Sequence, residues 1–421
     1  VGTDTERSAK LILAAVYHAN DRPIVNYGRI EWKSSTIAAT FPTPGTPPDV
    51  SWQTLNFLTN GFEIKAKANE AATLRPTLVI ESTGEYTQSL SGDVTNAGLL
   101  EASTDKVIEL TGKYTDPNKG NLDVKKRTGK GEVKINGKVK VSLGTINIEN
   151  GTVLVMLDSF EQPGGDVTNA GELEITGGYF FSGGTYTSAG FTTEPVKFIA
   201  DSVTQSGGIF TFDVDPGSLD VDGIYLHTGG EALIRTSPYF TPNTIEFGEL
   251  KVQAPNFILA GPTTAVDGIH VASGGELQLS GYATLNLNIH ANITVYGLLD
   301  ITHSTRVIGN LVNHGIVHLG LHEVTAGYDN VVVQGNYTQS SGGRLRMDIP
   351  SGTADLLEIT GVATLAGTLE CVAPWLPMWM NITLMSFGSR SGMFDTLIQP
   401  PGAPATMWAT GTSMGINSNP Y

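Results

Sequence analysis

The feature that most constrains this chain is its punctuation. From about residue 80 onward, β-prone runs of four to seven residues alternate with Gly-Gly, Asn-Gly or Ser-Gly pairs. Segments so short, separated by residues that favour turns, leave no room for helices and predict an all-β chain. The runs are rich in Val, Ile, Thr and Leu, so they carry apolar faces to bury and do not form a disordered Gly/Ser polymer.

Whole phrases recur. VDGIYLHTGGEALI at 221–234 returns as VDGIHVASGGELQL at 266–279, 45 residues on, and SGDVTNAGLLE at 91–101 returns as GGDVTNAGELE at 164–174, 73 residues on. GEYTQS at 84–89 matches GNYTQS at 335–340, with SVTQSGG at 202–208 a looser relative, and GYATL at 281–285 matches GVATL at 361–365. These offsets are too irregular for a β-propeller, which repeats at one sustained period. Irregular spacing with recurring Gly-Gly-x-Leu-x-Leu phrases suits a parallel β-helix, whose coils tolerate turns of different length while stacking one continuous core. A solenoid also accommodates 421 residues, beyond the roughly 250–300 at which single globular cores stop growing. Ile224, Leu226, Leu233, Ile269, Val271, Leu277 and Leu279 are expected inside, because both copies of the longer phrase hold apolar residues at period two.

Residues 1–80 read differently. Thr3 and Glu6 have capping-box spacing, and Leu11, Ile12, Ala15 and Val16 give the run from Ser8 to Asn20 the stripe of an amphipathic helix. The proline-rich 41–50 must be a loop. The expected organisation is an N-terminal cap or small domain over 1–80 with one helix, β-helix repeats over 81–333, a C-terminal β-helix cap over 334–400 and an irregular tail over 401–421.

Charge excludes some partners. A formal charge of −16, from 41 acidic against 25 basic residues, repels nucleic acid and anionic membrane surfaces. No stretch of about 18 apolar residues occurs, so no transmembrane helix is expected. The chain starts at Val1 without methionine, which we read as removal of a signal peptide and hence an extracellular or cell-surface location. Cys371 alternates with Leu369 on one strand face and is expected as a small buried hydrophobe.

Residues 334–397 contain QGNYTQSSGGRLRMDI, DLLEITGVATLAGTLECV and NITLMSFGSRSGMFDTL. This stretch resembles the segment that closes the β-helical passenger of pertactin-like bacterial autotransporters, a pattern shared with exported bacterial β-solenoids, and phrases such as GGTYTSAG at 183–190 resemble looser passenger repeats. The resemblance implies a right-handed parallel β-helix, secretion, and a C-terminal cap that helps the helix fold. It does not extend to a membrane β-barrel, for which residues 401–421 leave no room, nor to residues 1–80.

Few residues call for chemistry. Asp213 and Asp215, and Asp220 and Asp222, form two same-side pairs on an extended chain and are the candidate ligands for calcium; no other cofactor is expected. The same carboxylates, with Tyr225 and His227 nearby, are where the acid and base of a polysaccharide lyase or hydrolase would lie. His314, His318 and His322, four apart with Val317, Leu319 and Leu321 facing the other way, are too widely spaced on a strand to share one zinc ion and read as an exposed polar face. Asn150, Asn292, Asn336 and Asn381 begin N-x-Thr sequons. Trp375, Leu376, Met378, Trp379 and Met380 make an apolar patch suited to an interface. No catalytic residue is assigned. The expected function is that of a secreted structural protein, a fibre or surface-layer subunit that assembles head to tail as a homo-oligomer or homopolymer. A glycan-binding adhesin facing cell-surface glycans and a β-helical lyase or hydrolase are the alternatives.

Overall fold

When Val, Ile and Leu alternate with polar residues, an extended run turns one face inward. Around a closed coil, every such run can contribute to one interior while its backbone pairs with the same run of the next coil. The structure is a computed structural model; it describes strands between residues 10 and 126, and beyond them residues 131–236, 243–280, 287–302, 304–320, 330–349, 354–373, 380–399 and 405–418. It is an all-β parallel solenoid with no helix among the described residues. Two compact units are formed by Val1–Asp220 and Val221–Tyr421.

In the first unit three inward columns run through the coils. One passes through Leu100, Leu122, Ile146, Val167 and Tyr186, each in register with the next. A second holds Ile108, Val133, Leu154, Leu173 and Phe198, and a third holds Tyr114, Val139, Phe160 and Tyr179. Aromatic rings fill the interior toward the end of this unit: Phe160 stacks on Tyr179 at 4.8 Å and Tyr186 on Phe210 at 4.5 Å, all fully buried.

The ladder also runs through the first eighty residues. Lys10–Leu13 pairs in parallel with Arg29–Lys33, which pairs in parallel with Thr77–Ser82. This corrects the helix expected over 8–20, where Lys10–Leu13 and Tyr17–His18 are strands. A helix preference of tenths of a kcal/mol per residue yields where a neighbouring strand offers a complete row of backbone partners.

In the second unit one column runs through Phe257, Leu277, Leu299, Val317, Leu345 and Leu369, and another through Ile269, Ile293, Leu311, Tyr337 and Ala363. Coil length varies: Leu299 to Val317 takes 18 residues and Val317 to Leu345 takes 28. Met380–Gly392 pairs in parallel with Leu356–Leu365 but antiparallel with Ser413–Ser418, which also pairs antiparallel with Ala405–Ala409. Within the stretch expected as an irregular tail, Ala405–Ala409 and Ser413–Ser418 are instead strands, a hairpin that reverses the strand direction against the last long strand.

Buried amides close the turns and account for the recurring phrases. In the two GDVTNAG copies, Asn96 Nδ2 donates to the Tyr114 hydroxyl at 2.9 Å and Asn169 Nδ2 to the Tyr186 hydroxyl at 3.1 Å, each tyrosine belonging to the following coil. Asn169 also donates to the Lys197 carbonyl and accepts from the Gly171 N–H. In the NYTQ phrase, Gln339 Nε2 donates to the carbonyls of Gly343, Ala366 and Thr368 at 3.0, 2.9 and 2.9 Å. At another corner the exposed Asn292, Asn310 and Asn336 form a ladder in which their Oδ1 atoms accept the backbone N–H groups of Asn310, Asn336 and Val362 in turn, each at 2.9 Å.

The longer repeat is not structurally equivalent in its two copies. Ile269, Val271, Leu277 and Leu279 are fully buried as expected, but Ile224 is exposed and Leu226 and Leu233 are half-buried, their places taken by Tyr225, His227, Ala232 and Ile234. Leu233 occupies the outward place that Gln278 has in the other copy. For Ile224 and Leu226 the cause is a slip at the corner. Asp222, Gly223 and Ile224 turn it after buried Val221, whereas Val266, Asp267 and Gly268 turn it after buried Ala265. Moving the phrase one place round the corner exchanges inside for outside, so Val221 is 0% exposed and Val266 79%. Val221→Asn should cost about 2–4 kcal/mol through an unmatched buried amide, and Val266→Asn under about 0.5 kcal/mol. Urea unfolding of both variants checks this; equal losses would refute the slip.

Candidate ligand-binding face

Leu298–Thr302, Ile316–Leu319, Arg344–Asp348 and Thr368–Val372 are successive parallel strands in register. Leu299, Val317, Leu345 and Leu369 point inward and are fully buried. The alternation therefore lays Asp300, His318, Arg346 and Glu370 side by side on the outer face, about 5 Å apart.

His318 is clamped between two coils. Its Nδ1 lies 2.9 Å from Asp300 Oδ1 and its Nε2 3.3 Å from Asp348 Oδ1. Gly320 makes room for this: a Cβ there would sit 2.6 Å from the ring carbon Cε1 and 3.2 Å from Asp348 Oδ2. Burial by itself lowers the imidazole pKa, but the hydrogen bonds and charges of Asp300 and Asp348 outweigh it and raise the pKa from 6.5 to about 9. His318 is thus a cation at neutral pH and no general base.

A folded-state pKa raised above the unfolded value gives stability that is whole below about pH 6.5 and is lost as the pH climbs through about 9. On the order of 2 kcal/mol should disappear over that window. Urea unfolding from pH 6 to pH 9.5 should show the decline, and His318→Gln should flatten it; an unchanged slope in that variant would place the dependence elsewhere.

Arg344 Nη1 pairs with Glu370 at 3.3 Å. Arg346, between His318 and Glu370 in register, forms no ion pair among the described residues, and its Nε is buried without a hydrogen-bond partner. Where these strands begin, Tyr296 and His314 stack face to face at 4.7 Å with an interplanar angle of 12°. Tyr296 is 55% exposed. The corresponding turns of neighbouring coils carry only exposed Ser273 and Gly274 on one side and Ser341 and Gly342 on the other. Half-buried Leu298 and Ile316 lie outward between the rings and the charged row.

Other predicted residues fall elsewhere. Asp213, Asp215 and Asp220 lie in the first unit, with Asp215 buried and the other two half-buried, and Asp222 is exposed in the second. Among the described residues no three acidic, histidine or cysteine side chains gather as a metal group. Tyr225 is buried in the core, and His227 is buried with Nε2 3.0 Å from the Pro255 carbonyl and its pKa lowered, chiefly by burial. Trp375, Leu376, Met378 and Trp379 are outside the described residues, as is His322, and Met380 opens the strand Met380–Gly392. Asn150 donates to the carbonyls of Ala170 and Glu194, while Asn292 and Asn336 belong to the corner ladder. Asn381 is exposed and lies opposite Asn417 in the antiparallel ladder. Cys371 is buried beside Leu369 on the inner face, and burial, with the Glu370 charge, pushes its thiol up to about 12.

No family model matches this chain, and no curated protein does. Its β-solenoid is compatible with a β-helical passenger. No helix among the described residues is long and apolar enough to cross a membrane.

Proposed function

We propose that this chain is an exported structural protein of a cell exterior, a subunit whose solenoid bears load or display and assembles head to tail, in the manner of an autotransporter-like passenger. One observation carries the reading: polar side chains are committed to tying coil to coil. Gln339 and Asn169 close turns from inside, and Asn292, Asn310 and Asn336 stitch a corner. On the outside, Lys125–Glu101 at 2.7 Å and Lys197–Glu172 at 3.5 Å bridge adjacent coils. Each surface pair contributes little, but the closures made by Gln339 and Asn169 are buried and add to a repeating core that needs no pocket to be useful.

Sedimentation and negative-stain imaging of the chain, beside a version lacking residues 1–35, test the assembly. Linear polymers lost on deletion support head-to-tail contacts, and a strictly monomeric protein at high concentration defeats them. Incubation with a panel of acidic polysaccharides tests the rest. Turnover abolished by Asp213→Asn or Asp222→Asn would replace the structural reading with an enzymatic one.

A further inference from the structure

The outer face built on Leu298–Thr302, Ile316–Leu319 and Arg344–Asp348 combines features that the structural role does not use. Tyr296 presents an exposed ring, fixed parallel to His314 and flanked by turns of serine and glycine. Arg346 carries a guanidinium that has no ion pair among the described residues, although Glu370 stands beside it in register, because Glu370 bonds to Arg344.

We propose that this face binds an acidic saccharide, with a sugar ring lying on Tyr296 and a carboxylate held in the fork of Arg346. The negative face of an aromatic ring attracts the weakly positive C–H edges of a pyranose, and a ring already stacked on a neighbour loses little freedom on binding. The planar guanidinium matches a carboxylate bidentately, which a lysine cannot do. Spacing suits a chain of several sugars. From Tyr296 to Asp300, or His314 to His318, is about 13 Å along a strand, and Arg346 lies one strand beyond His318 and two beyond Asp300, about 10 Å across from the Tyr296 strand. Leu298 and Ile316 give the intervening surface an apolar step.

Local charge also permits an anion here, on a chain of formal charge −16. His318, Arg344 and Arg346 balance Asp300, Asp348 and Glu370, and both Asp300 and Asp348 face the His318 cation. The balance holds while His318 is protonated and tips negative as the pH rises.

The test is calorimetric titration of the full chain with a galacturonic acid oligosaccharide, its carboxyl-reduced neutral counterpart, inorganic sulfate and an oligoglutamate peptide. The uronate should bind, and Arg346→Gln should weaken it by about 10-fold or more, with Arg346→Lys intermediate. Tyr296→Ala should weaken both sugars, while the neutral sugar should be indifferent to Arg346→Gln. Thermal unfolding of each variant separates lost binding from lost folding. No uronate binding, or binding unaltered in folded Arg346→Gln and Arg346→Lys, would overturn the proposal. Equal affinity for oligoglutamate or sulfate with the same dependence on Arg346 would overturn the saccharide assignment.

Discussion

Replacing Gln339 with leucine is expected to lower the unfolding free energy by about 3–5 kcal/mol. The side chain is 1% exposed, and its amide nitrogen serves three carbonyls, those of Gly343, Ala366 and Thr368, while Oε1 accepts from the Tyr337 hydroxyl at 2.6 Å and from Asn313 Nδ2 at 3.2 Å. Leucine fills much of the same volume and satisfies none of these groups. Each orphaned buried polar group costs roughly 1–3 kcal/mol, and a half-satisfied network is worse than an apolar one. Thr338→Ala, one place away and half-buried on the outer side, is the comparison and should change stability by less than about 0.5 kcal/mol. Urea unfolding monitored by circular dichroism decides it. Tolerance of Gln339→Leu within 1 kcal/mol of the parent, an upper bound of roughly one net hydrogen bond, would mean that the amide does not hold the turn.

Gly184→Ala should be nearly as damaging, at about 2–4 kcal/mol. Gly184 has φ +75°, a conformation that L-residues other than glycine adopt only under strain. A Cβ there would also overlap the Gly165 carbonyl oxygen of the previous coil and come within 2.7 Å of the Gly164 carbonyl carbon and 2.9 Å of the Gly165 nitrogen. These are backbone atoms held by the Thr185 N–H to Gly165 carbonyl bond at 3.0 Å, so they cannot step aside without breaking the ladder. Gly274→Ala separates the two causes, because its φ is +88° but no atom lies within 4 Å of where a Cβ would be. It should cost about 1–2 kcal/mol, the conformational part alone. Equal midpoints for the two variants in thermal unfolding would show that coil-to-coil contact adds nothing at Gly184.

The solenoid was legible because its cause is local: short apolar-alternating runs between glycine pairs have few other folds open to them. The helix expected over 8–20 failed because the spacing of Leu11, Ile12, Ala15 and Val16 is a local signal, and the deciding partner, Arg29–Lys33, lies in another part of the chain. Recurrence of DVTN and YTQ was visible, but a polar residue ending a strand reads as outward. That Asn169 and Gln339 point inward depends on carbonyls in the next turn and coil. The charged row was missed for a related reason. Asp300, His318 and Asp348 are brought together by register, and coils of unequal length defeat counting along the chain. A usable signal was present in a looser phrase, glycine followed by apolar residues two and four places on. Aligning 297–301, 315–319, 343–347 and 367–371 on their first glycine puts Asp300, His318, Arg346 and Glu370 at one position.

In the second unit, coils of 18 and of 28 residues stack at the same strand spacing, so axial distance within that unit is counted in rungs and not in residues. Lengthening a corner changes what projects sideways and leaves the rise untouched; only inserting or removing a whole coil alters reach. Span and decoration are therefore separate variables. A lineage of such proteins is free to diverge by corner insertions while any two outer-face groups on given coils of one unit keep their distance along its axis.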